Sequence, residues 1–118
     1  MLQERIALFV TKADEATAKY WQESGYTYSA PPKHQADYIS DKWCRIVTLE
    51  ERNGKWESSS VYAFICLKDG YTKALCALRA GDIHKAASYK APAKHARGNV
   101  LDDLFPNCLT PFGIIYLK

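Results

Sequence analysis

Residues 42–67 read KWCRIVTLEERNGKWESSSVYAFICL, and this stretch decides the fold. From Lys42 to Arg52 the side chains alternate and strand-favouring residues dominate. Asn53-Gly54 follows. Both residues accept the positive φ of a two-residue hairpin turn, which makes the pair a strong hairpin cue. Ser60 to Leu67 supplies a second, strongly apolar strand. A two-residue turn sets Arg52 against Lys55, and an uninterrupted ladder then sets Arg45 against Tyr62 and Trp43 against Phe64.

Working outward toward the C-terminus, Asp69-Gly70 is a second hairpin cue, and the same turn geometry sets Phe64 against Leu75 and Cys66 against Lys73. Ala80-Gly81-Asp82 marks a third turn, after which Ile83 to Ser88 reads as a fourth strand; Gly113 to Leu117 could add a short last one. Neighbouring strand residues point to opposite faces, so these registers sort the side chains. One face collects Cys44, Ile46, Val61, Ala63, Ile65, Ala74, Cys76 and Leu78 and is almost wholly apolar. The other collects Trp43, Arg45, Tyr62, Phe64, Lys73 and Leu75, mixing rings with cations.

Working outward toward the N-terminus, Tyr26 to Ser40 carries Pro31-Pro32, which block both helix and central strand. Before it, Ile6, Phe9, Val10, Ala13, Thr17, Tyr20 and Trp21 recur at spacings of three and four. They predict an amphipathic helix over 3–24, stopped at Gly25. The expected architecture is α+β: an N-terminal amphipathic helix packed on a meandering antiparallel sheet of four or five strands, with an irregular basic C-terminal segment. One domain spans 1–118, divided into helix 3–24, connector 25–41, sheet 42–88, and basic loop and tail 89–118.

Composition agrees with a single folded unit of 118 residues and 13.4 kDa. Apolar residues make up 47% and charged residues 25%, a balance that argues against disorder. No apolar run approaches the roughly 20 residues that span a bilayer. Residues 1–10 lack the pattern of a secretory signal, so the expectation is a cytosolic protein without membrane contact. The four cysteines, Cys44, Cys66, Cys76 and Cys108, form no C-x-x-C pair. They read as reduced core thiols, with neither a metal site nor a cofactor expected.

Charge is unevenly placed. Net charge is +3, yet Ile83 to Leu101 contains Lys85, Lys90, Lys94 and Arg97, together with His84 and His95, and no acid. That window carries +4, leaving −1 for the rest of the chain. A basic segment on a near-neutral body suits a phosphate backbone or an acidic protein surface. Two candidate surfaces follow. On the sheet, Trp43, Tyr62 and Phe64 could stack bases while Arg45 and Lys73 meet phosphates; the competing reading is that the tail folds over this face and closes it as a second core. In the segment Ser88 to Asn99, Pro92 argues against a continuous helix and Gly98-Asn99 favours a turn, giving an irregular basic loop with Tyr89 as a further ring.

Evidence for catalysis is weaker. No P-loop or dinucleotide fingerprint is present. Asp82 and Lys85 fall on opposite faces of a strand, and Asp102-Asp103 suits a turn or a cap better than a metal pair. His84 or His95 could act as a base, but no motif ties a nucleophile to either.

Residues 80–100 read AGDIHKAASYKAPAKHARGNV. This run resembles an uncharacterised family of small tailed-bacteriophage proteins. Those proteins carry a Gly-Asp turn, a Lys-Ala-rich strand, an aromatic residue (usually Trp, here Tyr89), then Lys-x-Pro-Ala-Lys and Arg-Gly-Asn, with Phe112-Gly113 matching a late aromatic-Gly pair. The resemblance brings no activity with it. It implies a phage accessory protein acting in the cytoplasm of an infected bacterium. The expectation is a non-enzymatic protein binding single-stranded DNA or RNA through Trp43, Arg45, Tyr62, Lys85, Tyr89, Lys90, Lys94, His95 and Arg97. The alternative is an early protein that binds and inhibits a bacterial host enzyme. A two-fold dimer through a sheet edge is compatible with either.

Overall fold

The computed structural model describes residues 2–25, 31–71, 77–88, 92–102, 109–110 and 113–114. The chain opens with helix α1 (Leu2–Glu23) and continues through β1 (Lys33–Tyr38), β2 (Trp43–Arg52), β3 (Lys55–Cys66), β4 (Gly70–Tyr71), β5 (Ala77–Leu78), β6 (Asp82–Ala86), β7 (Pro92–Asn99), β8 (Leu109–Thr110) and β9 (Gly113–Ile114). The main sheet has five strands in the order β1-β2-β3-β6-β7, every pair antiparallel. Helix α1 packs on one face of it, so the fold is α+β as expected.

The helix buries the face that its periodicity marks: Ile6, Phe9, Ala13 and Thr17. They meet Cys44, Ile46, Tyr62, Ala63, Ile65, Ile83 and Val100 in one apolar core. Gly25, at φ 75°, ends the helix where the sequence places the stop, and its amide donates to the Gln22 carbonyl at 3.2 Å. Arg5, at the other end, donates from Nε to the Val100 carbonyl at 2.6 Å. The first turn of the helix is thereby tied to the residues just after β7.

The β2–β3 hairpin turns at Asn53-Gly54, with φ of 53° and 78°. Both values are positive, as the two-residue turn needs. Arg52 faces Lys55, as read from the sequence, but the ladder is then interrupted twice. Thr48 pairs Ser60 while Leu49 pairs Ser58, and Ile46 pairs Ala63 while Val47 pairs Val61. Each step adds one residue to β3, so Arg45 faces Phe64 and Trp43 faces Cys66, two residues beyond the expected partners. Two bulges restore the parity of Cys44, Ile46, Ala63 and Ile65, which keep the helix face. The second bulge moves Tyr62 onto that face, where its ring meets Phe9 edge-on at 6.0 Å. Val61 pairs Val47, and neither belongs to the helix-facing core.

Three further expectations are corrected. The connector 25–41 contains β1, an edge strand that starts immediately after Pro32, where a missing amide costs no ladder bond. The neighbour of β3 is β6, with Phe64 opposite His84 and Ile65 opposite Ile83. β4 and β5 instead form a separate two-stranded piece, and the calls on Lys73, Ala74, Leu75 and Cys76 lie outside the described residues. The basic segment is not an irregular loop over its second half: residues 92–99 are β7, again with proline in first place. The last short strand begins at Gly113 as expected and pairs with β8.

Candidate functional site

The ring-bearing face of the sheet is closed. Phe64 has no exposed surface, Tyr62 is 2% exposed on the other side, and His84, opposite Phe64, is 1% exposed. Trp43 is half-buried and packs edge-on against Phe64 at 6.3 Å and His84 at 5.1 Å. Trp43, Phe64 and His84, with buried Cys66, therefore make a second small core. Arg45 belongs to the same face, and its Nη2 meets Asp37 Oδ2 at 3.1 Å with the side chain 16% exposed. The expected stacking surface is not available in this arrangement. Tyr62 is a core ring, and Arg45 is held by a carboxylate from the neighbouring strand.

His84 is fixed from β7. Its Nδ1 donates to the Ala93 carbonyl at 2.8 Å, which places the ring proton on Nδ1. An imidazole so enclosed suits a packing role better than proton transfer to substrate. The two described thiols, Cys44 and Cys66, are both buried. Burial pushes the Cys44 thiol up to about 11 and raises that of Cys66, so both stay protonated at neutral pH. Among the described residues, no three His, Cys, Asp or Glu side chains are placed to share a cation.

The run 80–100 meets itself across the sheet. Asp82 and Asn99 are register partners, as are Ile83 and Gly98. Asn99 Nδ2 donates to Asp82 Oδ1 at 3.0 Å and to the Ala80 carbonyl at 3.1 Å, while its Oδ1 accepts the Leu101 amide at 2.8 Å. Asp82 Oδ2 accepts the Arg79 amide at 2.9 Å. Gly81 has φ of 92°, and a Cβ there would lie 2.6 Å from Asn99 Oδ1. The Gly-Asp and Gly-Asn pairs of the run thus form a polar clasp between the start of β6 and the end of β7. Their residue types are explained by the fold, without a ligand.

What remains of the basic segment lies along an edge. β7 is the last strand of the sheet, and Lys94, His95 and Arg97 occupy it, with Lys85 on adjacent β6. Lys85 is half-buried. Arg97 is also half-buried, and its Nε and Nη1 are enclosed without a hydrogen-bond partner among the described residues. The side chains of Lys94 and His95, and the whole of Tyr89 and Lys90, lie outside the description.

A site that the sequence reading missed joins α1 to β1. Asp14 Oδ1 accepts both the His34 amide and its ring Nδ1, each at 2.8 Å. The His34 ring lies edge-on to Tyr62 at 4.4 Å. Burial lowers the His34 pKa, and Asp14 pulls the other way. No sequence pattern links residues 20 positions apart; only the topology brings them together.

The description "Family of unknown function (DUF7717)" matches residues 9–108, most of the chain. The chain belongs to this family. Its matched region takes in most of the helix, the whole main sheet and the clasp. Neither a curated protein nor a solved structure matches the chain. Among the described residues, no helix is long and apolar enough to cross a membrane.

Proposed function

We propose that this DUF7717 member is a non-enzymatic binding protein that meets single-stranded nucleic acid along the β6–β7 edge. The observation that carries the reading is the position of the basic segment on a terminal strand. A sheet edge offers a row of backbone amides, and phosphate oxygens accept from such amides as well as from Lys and Arg. Lys85 and Lys94 supply the charge, with Lys90 and His95 close in sequence, while Arg97, whose Nε and Nη1 are enclosed, is left to the fold. Tyr62 and Phe64 take no part, so the stacking energy of about 1–3 kcal/mol per base is not drawn from those rings. Binding of this kind follows phosphate spacing and salt more than base identity. The resemblance of residues 80–100 to phage proteins supports a role inside an infected bacterium.

Heteronuclear NMR with a short single-stranded oligonucleotide at low salt tests the reading. The amides of β6 and β7 should shift together as the oligonucleotide is added. Shifts confined to other strands, or none, would remove it.

A second reading, contact with a host protein, is favoured by the same edge. Among the described residues β7 has no strand on its outer side, and an extended acidic segment could add there. Capture from bacterial lysate with and without nuclease separates the two. A partner retained after nuclease treatment supports the protein reading.

A further inference from the structure

The β2–β3 hairpin outruns the rest of the sheet. The β1 ladder ends with Lys33 opposite Leu49, and β6 meets β3 only at Phe64 and Ile65. From Glu50 to Glu57 the hairpin is therefore a two-stranded ribbon among the described residues, held by the pairs Glu50–Glu57, Glu51–Trp56 and Arg52–Lys55. A ribbon of two strands is marginal by itself, so its tip opens without disturbing the core. Asn53 and Gly54 form that tip, and both are exposed. A Cβ built on Gly54 meets nothing within 4 Å, so neither a side chain nor a neighbour crowds the main chain there.

Asparagine is a labile residue, most of all before glycine. When the turn opens, the Gly54 amide nitrogen reaches Cγ of Asn53. A bond forms between that nitrogen and Cγ, the bond from Cγ to Nδ2 breaks, and ammonia leaves with the amide proton. The product is a cyclic imide. Water opens it at either carbonyl, giving aspartate or isoaspartate, and in isoaspartate the main chain runs through the side-chain carbon. We propose that Asn53 is a deamidation site of the folded protein. The fold selects it over other candidates. Asn99 precedes branched Val100, and its amide is bonded to Asp82, to the Ala80 carbonyl and to the Leu101 amide. Asp69 is also followed by glycine, but its carboxylate is a poor electrophile and accepts the Ala80 amide at 2.9 Å. The two products differ in consequence. Asp-Gly still suits the turn, whereas isoaspartate lengthens the main chain and spoils the Arg52–Lys55 register. The site uses no residue of the β6–β7 edge.

The test is peptide mapping by mass spectrometry of the unaltered protein held in warm, mildly alkaline buffer, with ammonia release measured alongside. Aspartate and isoaspartate should both appear at position 53. Conversion at Asn99 should be at least about tenfold slower, since its amide must first give up its hydrogen bonds. The isoaspartate form should melt below the native chain, while Asn53→Asp should melt as the native chain does. Aspartate without isoaspartate, conversion at Asn99 as fast as at Asn53, or conversion seen only in urea would overturn the proposal. An isoaspartate form that melts with the native chain would overturn the effect assigned to the lengthened turn.

Discussion

Asp82 is a buried carboxylate with both oxygens committed to the clasp, one to Asn99 and one to the Arg79 amide. Removing it leaves both donors without their acceptor in a part-buried place. Asp82→Ala should therefore lower stability by about 1–3 kcal/mol in a denaturant titration. Gly81→Ala should also destabilise, because a side chain there is strained at φ 92° and runs into Asn99. The sequence exposes these residues as unusual without revealing that they pair, since the clasp joins positions 17 apart. His34 gives a different expectation. Its folded pKa lies below the ordinary value, so the unfolded chain takes up a proton first as pH falls. The neutral ring's contribution is full above about pH 6.5 and declines below it, down to the folded pKa. His34→Asn should flatten that part of the stability–pH curve, measured by chemical denaturation across pH 5–8. A stability loss on acidification that is identical in the variant would assign the effect elsewhere.

At the scale of elements, helix and hairpin were legible because each has a local cause. Helical spacing marks Ile6, Phe9, Ala13 and Thr17 without reference to any partner, and Asn53-Gly54 states its turn in two residues. Bulges have no such local mark here. Ser58-Ser59-Ser60 and Val61-Tyr62 look like continuous strand, so the sequence predicts a single ladder through both and puts Tyr62 on the face opposite the one it takes. β1 and β7 were obscured by their prolines, which exclude a central strand but allow the first position of an edge strand. Tyr62→Ala tests the corrected placement. Loss of a core ring should cost about 3–5 kcal/mol in thermal or chemical unfolding. A ring on an open binding surface would leave stability nearly unchanged.

For the molecule as a whole, the distribution of charge survives the correction of the fold. The +4 window from Ile83 to Leu101 now spans an edge strand and its neighbour, while the remainder of the chain stays near neutral. Half of the candidate site read from the sequence is thereby redrawn. Tyr62 and Phe64 are internal, one on each face of the sheet, and composition cannot say which apolar residues cover which face. The proposed function now rests on the basic residues of β6 and β7 alone. The decisive measurement is the salt dependence of fluorescence anisotropy with a labelled single-stranded oligonucleotide, for the native chain and for Lys85→Gln/Lys94→Gln. Affinity should fall steeply with salt, and the double substitution should weaken binding and reduce the log–log slope by about 1.4. Affinity indifferent to salt, or a slope unchanged by the two substitutions, would contradict a phosphate-binding edge.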